Sequence, residues 1–316
     1  MKRWTMMAAA MVAGAVLAAP IQAQERDWDR LGERIAEAVE RALRGAERAT
    51  ERALLALERA EFDVEWDGDG WFQDQEAPGP RVQEEFRWSG DVAQGDLLEI
   101  KGINGGISAT PASGAQVEVV AVKSGRRSDP AEVRIEVVEH AGGVTLCALY
   151  PVGAGDEANE CAPGEGGRLN SRRNDVSVAW EVRVPRGVLF TGRTVNGDVG
   201  ATGLTEAVDV RTVNGSITIG TDGFATAKTV NGSIDARMAG TLRSDVAFET
   251  VNGSIELDVQ DGIGAQVDAS WLNGGLETEI PFQVQGRIGR RTAQGTLGGG
   301  GPVMKLRTVN GSIRIY

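Results

Sequence analysis

The pattern of hydrophobic and polar positions changes character between the N-terminal region and the rest of the chain. Between about Asp27 and Glu61 the apolar residues recur in steps of three and four, which predicts one stripe of an amphipathic helix. From Phe86 onwards, short runs alternate apolar and polar residues between Gly, Pro and Asp breaks, as β-strands do. Strands are predicted at Leu98–Ile100, Val117–Val122, Val133–Val137, Val144–Tyr150 and Val176–Val184. The pattern therefore predicts an all-β domain preceded by an N-terminal α-helix.

One hexapeptide repeats along the C-terminal part of the chain. The letters Thr-Val-Asn-Gly-Ser-Ile occur unchanged from Thr212, Thr229, Thr250 and Thr308, and variants begin at Gly102, Thr194, Trp271 and Thr292. The Asn or Gln positions from 196 to 310 are separated by 16 to 21 residues. Such a period is typical of stacked β-coils, in which each unit buries its inward face on its neighbours.

The apolar positions around each Asn indicate how one unit folds. Residues four and six positions before the Asn and three positions after it are mostly apolar, as in Val208, Val210 and Ile217. This phase slips by one residue just before each hexapeptide, which predicts two short strands joined by a corner at the slip. We therefore predict a single-chain β-solenoid, or β-helix-like repeat domain, in which the hexapeptide is one strand. Its Val, Gly and Ile would face inwards, and its Thr, Asn and Ser outwards.

A β-hairpin with a type I′ turn at Asn-Gly is the alternative structure for the repeat. It would mix apolar and polar side chains on each face, whereas the extended arrangement separates them, so we favour the extended one.

The outward residues predict a candidate functional surface, a polar ladder of stacked hydroxyls and amides able to meet a glycan or another protein. In an alternative interpretation these groups only satisfy one another, without a ligand. The predicted ladder residues are Thr194, Asn196, Thr212, Asn214, Thr229, Asn231, Thr250, Asn252, Asn273, Thr308 and Asn310.

The N-terminus has the features of a secretory signal peptide. Basic residues follow Met1, an apolar run extends from Met6 to Ala19, and a small residue, Ala23, marks the expected cleavage point. The run is shorter than the about 20 apolar residues that cross a bilayer. We expect residues 1–23 to be removed and the mature chain, without a stable transmembrane segment, to be periplasmic, on the outer surface or secreted.

Two segments separate the signal peptide from the β domain, which we place at 86–316. Residues 24–62 form the predicted charged amphipathic helix, and its role as a cap, a tether or a self-associating coiled coil stays open. Residues 63–85 are predicted to be an acidic linker. The positions from Asp63 to Asp74 approximate a calcium-binding EF-hand loop, but Gly70 replaces an expected apolar residue and no helix follows, so a solvated linker is favoured.

The composition and the few candidate reactive residues argue against several classes of partner and activity. The net charge of −12 argues against nucleic acid and anionic lipid as partners. The two cysteines, Cys147 and Cys161, are predicted to form a disulfide in an exported chain. His140 is the single histidine and lies in a predicted turn, with no nucleophile motif beside it. We predict no catalytic, cofactor-binding or metal-binding residues.

Together these motifs resemble the bacterial exported family named putative adhesins, whose domain has no established function. The resemblance rests on the four unchanged hexapeptides, the V-x-V-P-x-G segment Val182–Gly187, the copy within Ile100–Ile107 and the signal peptide, and it spans about Leu97–Tyr316. It implies a β-helical or β-solenoid domain at the cell envelope and no established enzymatic activity.

We therefore expect a non-enzymatic cell-envelope protein with a binding or structural role, whose partner is an envelope protein or a glycan. Two alternatives stay open. One is an envelope-stress or signalling component that senses a ligand and contacts a partner through its helix, and the other is a carbohydrate-active enzyme built on a β-helix.

Overall fold

A computed structural model describes residues 82–153, 157–171, 174–260, 262–280, 282–284 and 291–316. The predicted signal peptide (1–23), the predicted helix (24–62) and residues 63–81 of the predicted acidic linker (63–85) lie outside these residues. The described part is all-β, as predicted, and its helical content is a single 3-10 turn at Pro130–Glu132. Its first strand begins at Val82, so residues 82–85 belong to the sheet rather than to the linker.

The strands form two mixed sheets. The ten-stranded sheet has the order β1-β4-β7-β3-β9-β11-β13-β15-β21-β17, and the eleven-stranded sheet has the order β18-β19-β16-β20-β14-β12-β10-β8-β2-β6-β5. The bounds in the first half of the chain are β1 (Val82–Gly90), β2 (Leu97–Lys101), β3 (Ile107–Pro111), β4 (Val117–Gly125), β5 (Arg134–His140), β6 (Gly143–Leu149), β7 (Ser177–Val184), β8 (Leu189–Arg193), β9 (Val199–Leu204) and β10 (Val208–Arg211). The remaining bounds are β11 (Ile217–Thr221), β12 (Ala225–Lys228), β13 (Ile234–Met238), β14 (Val246–Glu249), β15 (Ile255–Val259), β16 (Ala265–Asn273), β17 (Leu276–Thr278), β18 (Phe282–Val284), β19 (Thr292–Leu297), β20 (Val303–Asn310) and β21 (Ile313–Ile315).

Most hexapeptide copies lie between two strands of different sheets. We call such a pair of strands a rung, and the described residues contain the rungs β2–β3, β8–β9, β10–β11, β12–β13, β14–β15, β20–β21 and β16–β17. In both sheets each rung pairs in parallel with the next, for example Ile217 with Ile234 and Val210 with Ala227. Neighbouring rungs therefore repeat the same path through space, one hydrogen-bonding distance apart.

The order of rungs departs from the order of the sequence at both ends. The first rung, β2–β3, lies beside β8–β9, with a long intervening segment that supplies β4 to β7. The C-terminal rung, β20–β21, is inserted between β14–β15 and β16–β17. The chain end is therefore inside the stack, and an earlier segment forms the last rung.

The core lies between the two sheets and runs the length of the stack. Every second residue of each rung strand points into it, as Val208, Val210, Ile217 and Ile219 do. These are the apolar positions predicted from the alignment on Asn, and their burial confirms that part of the prediction. Larger side chains, among them Phe190 and Phe248, fill the same layer without exposure to solvent.

The hexapeptide itself is the corner of the rung and not one of its strands. Strand β10 ends at Arg211 and β11 begins at Ile217 in the other sheet, which also contradicts the hairpin alternative. Across the corner the backbone bends, so the alternation of a strand no longer decides which side chains face inwards. Thr212 is buried and Val213 is 38% exposed, the reverse of the predicted assignment.

The weak copy that begins at Thr292 does not form a rung. It lies in β19, which runs antiparallel to β16 and places Gln294 opposite Asp268. Because this copy lacks the Asn-Gly corner, the chain continues straight as an edge hairpin.

Candidate functional site

Asparagine side chains at successive corners form a hydrogen-bonded ladder on one edge of the stack. Each Nδ2 donates to the Oδ1 of the neighbouring rung over 2.7 to 2.8 Å. In spatial order the ladder contains Asn104, Asn196, Asn214, Asn231, Asn252, Asn310 and Asn273. Backbone bridges join the residues from Asn104 to Asn310, so both amide and main chain repeat at each rung.

All hydrogen bonds of the ladder run in the same direction, from Nδ2 of one Asn to Oδ1 of the next, so the two ends of the ladder differ. At the first end the Nδ2 of Asn104 donates to Ser171 Oγ at 3.3 Å. At the other end, no donor among the described residues reaches the Oδ1 of Asn273. Each amide inside the ladder uses one N–H and one oxygen lone pair for its neighbours. One N–H and one lone pair therefore remain for solvent or a ligand.

The corner threonines are not part of the exposed ladder, and this corrects the prediction that placed them there. Each is 4 to 6% exposed, and its hydroxyl donates to the carbonyl of the Gly in the preceding rung over 2.8 to 2.9 Å. The residues are Thr194, Thr212, Thr229, Thr250 and Thr308. A buried hydroxyl needs such a partner, and the inward Thr finds it in the neighbouring corner.

The corner glycines are required by the close stacking of the rungs. A Cβ built on Gly215 would lie 2.0 Å from the carbonyl oxygen of Gly197, and Gly232 and Gly253 have the same contact with the rung before them. No side chain fits at that distance, so glycine sets how closely the Asn amides approach.

An apolar row lies beside the ladder on the same edge. Val195 is 36%, Val213 38% and Leu272 42% exposed, while the equivalent Val230, Val251 and Val309 are half-buried and Ile103 of the first rung is buried. A third row of serines follows on the far side of the ladder, where each Ser Oγ accepts from the backbone N–H of the next Ser at 3.2 to 3.3 Å. We call these three rows, with the Asn ladder in the middle, the corner edge. It presents one amide at every rung, with serine hydroxyls beside it at the four rungs that contain Ser216, Ser233, Ser254 and Ser312.

A second polar cluster lies on the outer face of the eleven-stranded sheet, beneath the loop at 160–168. Glu99 and Lys101 of β2 point away from the core and are buried by this loop. Lys101 Nζ donates to the carbonyls of Ala162 at 2.5 Å, Gly164 at 2.6 Å and Gly166 at 3.2 Å. Burial lowers the pKa of the Lys101 ammonium, and the Glu99 carboxylate acts in the opposite direction.

The same loop is fixed by further contacts. Glu99 Oε2 accepts from Gly164 N at 2.9 Å and Thr145 Oγ1 at 3.0 Å, and Arg193 Nη1 donates to Gly164 O at 3.0 Å. The predicted disulfide is present between Cys147 and Cys161, with Cα atoms 5.7 Å apart. The donors of this cluster are therefore directed at the loop's own backbone, which makes the cluster a clamp for the loop.

The sequence did not reveal Glu99 and Lys101 as buried residues. They alternate with the apolar Leu98 and Ile100, a pattern that is typical of side chains on the solvent-exposed face of a strand. The one sequence signal was Cys147: a disulfide from a strand to a Gly-rich loop implies that the loop folds back over that sheet.

The other side chains that could take part in catalysis or metal binding are dispersed over the described residues. His140 ends β5, where its Nδ1 accepts from Gly142 N at 3.3 Å and its Nε2 lies 3.3 Å from Thr145 Oγ1. Within the described ranges no three or more His, Cys, Asp or Glu side chains come together as metal ligands would. The same residues contain no helix with the length and hydrophobicity to span a bilayer.

Comparison with solved structures shows that proteins named as adhesins or cell adhesion proteins are similar to this chain in fold. No family model and no curated protein matches the chain. A putative cell adhesion protein from Clostridium sporogenes is similar over 74% of this chain and 99% of its own, with 12% identity and a TM-score of 0.41. A putative adhesin from Bacteroides fragilis is similar over 74% of this chain and 97% of its own, with 13% identity and a TM-score of 0.30.

Proposed function

We propose that this protein is an exported β-solenoid of the adhesin type, with a non-enzymatic binding role carried by the corner edge. The parallel rungs with one corner each support the solenoid description, since every rung buries its inward residues on its neighbours. The disulfide supports an oxidising compartment outside the cytoplasm.

The observation that carries the binding role is the exposure of the apolar row beside partly unsatisfied amides. Val195 and Val213 are exposed on adjacent rungs and are followed by half-buried valines, and this apolar surface gains free energy when a ligand covers it. The adjacent amides each offer one donor and one acceptor at a fixed spacing.

The ligand class that fits these rows is an extended glycan. Sugar rings present C–H groups on their faces and hydroxyls at their rims, which match an apolar row flanked by amides and serine hydroxyls. The net charge of −12 favours a neutral or cationic chain over an anionic one.

Binding of neutral glycans to the full chain and to two lysine variants tests the proposal. Val213→Lys places a charge on the corner edge, and Thr218→Lys places the same charge on the outer face of β11, where Thr218 is also exposed. We expect Val213→Lys to weaken binding about tenfold or more, a loss of about 1.4 kcal/mol, while Thr218→Lys binds like the unmodified chain. Absence of glycan binding, or equal loss in both variants, would contradict the proposed role.

A further inference from the structure

Seven Asn-Gly pairs stand at the corners of the rungs, and one of them differs from the other six. In Asn-Gly the backbone nitrogen of Gly can attack the preceding side-chain amide with little hindrance, because Gly has no Cβ. The pairs are Asn104-Gly105, Asn196-Gly197, Asn214-Gly215, Asn231-Gly232, Asn252-Gly253, Asn273-Gly274 and Asn310-Gly311. We propose that Asn273 is a site of spontaneous deamidation in the folded protein, and that the ladder protects the other six pairs.

The reaction needs only water and a base. The Gly274 nitrogen gives up its proton and forms a bond to Cγ of Asn273. The bond from Cγ to Nδ2 breaks, ammonia leaves with the released proton, and a five-membered succinimide ring remains. Water then opens the ring at either carbonyl, so that Asn and water become aspartate or isoaspartate and ammonia.

In six pairs the attacking nitrogen is held in a backbone hydrogen bond. Each of these Gly N–H groups donates to the Asn carbonyl of the next rung over 2.7 to 3.0 Å, as Gly215 does to Asn231 and Gly253 to Asn310. The side-chain amides of the same pairs are held by the ladder. Attack therefore requires local opening of a rung that is paired on both sides.

Asn273 belongs to the last rung, beyond which the ladder does not continue. No acceptor among the described residues reaches the Gly274 nitrogen, and none of their donors reaches Asn273 Oδ1. Asn273 and Gly274 are both exposed, so water has access to the amide and to the ring that would form. Among the residues that the structure describes, the side chain makes one hydrogen bond, from Nδ2 to Asn310 Oδ1 at 2.7 Å.

The products would change the end of the corner edge. Aspartate or isoaspartate lacks the N–H that Asn273 donates to Asn310, and it adds a negative charge to an acidic chain. Isoaspartate also lengthens the backbone by one carbon at the outermost corner.

Site-resolved mass spectrometry of the full chain after incubation at mildly alkaline pH tests this inference. Asn252 and Asn273 fall in one tryptic peptide, residues 244–287, so fragment ions compare a protected and an open pair within the same molecule. We expect Asn273 to react about tenfold or more faster than any other Asn-Gly pair in the folded protein. In the reduced chain unfolded in urea, all seven pairs should react at similar rates.

Two matched variants add a second readout, the total ammonia released. Asn273→Gln should remove most of the release from the folded chain, whereas Asn252→Gln should leave it nearly unchanged. Folded protein in which an interior pair reacts as fast as Asn273, or in which Asn273 stays intact while the unfolded chain reacts, would overturn the inference.

Discussion

At the residue scale, the corner glycines decide whether the rungs can stack. Their neighbours across the stack are backbone atoms, which cannot move aside as the end of a flexible side chain can. Gly215 is the clearest example, because it lies in a rung that is paired on both sides.

The change Gly215→Ala should therefore be strongly destabilising. The new Cβ would lie 2.0 Å from Gly197 O, and we expect a loss of roughly 2–3 kcal/mol in the free energy of unfolding, measured by denaturant titration. Gly200→Ala is the matched control, since its Cβ would lie 3.9 Å from the nearest backbone atom, Ile107 O. Equal losses in the two variants would contradict the conclusion that close contact with the neighbouring backbone requires glycine at this corner.

Individual residues also show which inward-facing side chains the sequence could predict and which it could not. The buried positions before and after each Asn follow from strand periodicity, and the structure confirms them at Val210 and Ile217. The reversal at Thr212 and Val213 was not predictable in this way, because a bent corner has no fixed alternation. The buried Thr instead follows from a hydrogen bond to a carbonyl in another rung.

At the element scale, Tyr150 connects three parts of the first end of the stack. It directly follows β6, and its hydroxyl lies 3.1 Å from Val176 O, just before β7, and 3.3 Å from Asn104 O in the corner of the first rung. Burial raises the pKa of Tyr150 to about 12, because the phenolate would lose its hydration there.

This shift makes the connection sensitive to alkaline pH. The folded pKa lies above the unfolded value of 10.0, so the folded chain holds the proton more tightly. The stabilisation is complete below about pH 10 and is lost as the pH rises towards 12, by about 3 kcal/mol in total. We expect unfolding free energies measured from pH 9 to about 12 to fall more steeply for the native chain than for Tyr150→Phe. Identical slopes would show that the phenol does not control this effect.

The spatial order of the rungs could not be predicted from the sequence. The hexapeptides at Thr229, Thr250 and Thr308 are identical, so their local patterns fit any position in the stack. The observed order depends on what flanks each copy. Strand β16 of the copy from Trp271 also pairs antiparallel with β19, which ends the parallel stack in that sheet, whereas β20 pairs in parallel with both β14 and β16.

At the scale of the whole molecule, the C-terminal segment forms an internal rung of the stack, next to the last one. In a stack built in sequence order, removal of the last residues would shorten one end and leave the rest intact. Here β20 pairs with β14 and β16, and β21 pairs with β15 and β17, so their removal separates the last rung from the others.

A chain that ends at Gly301 should therefore fail to unfold as one cooperative unit. In thermal or denaturant melts followed by circular dichroism, we expect the full chain to show one transition and the truncated chain to lose it. A synthetic peptide of residues 302–316, added in excess, should bind the truncated chain and restore the transition. A truncated chain that melts like the full chain would contradict the inserted position of this rung.

The inserted rung β20–β21 also determines when the stack can fold during synthesis of the chain. A chain that emerges N-terminus first presents β14 to β17 before β20 and β21 exist, and the two rungs on either side of the gap carry similar corners. Premature pairing of β14 with β16 would produce a stack that lacks the rung β20–β21. These two strands would then have no neighbouring strands to pair with. Because the correct arrangement joins residues far apart in sequence, it forms late and slowly. The closed stack is thus reached only after β20 and β21 have been synthesised, and a translation product that stops before Val303 remains open to proteolysis.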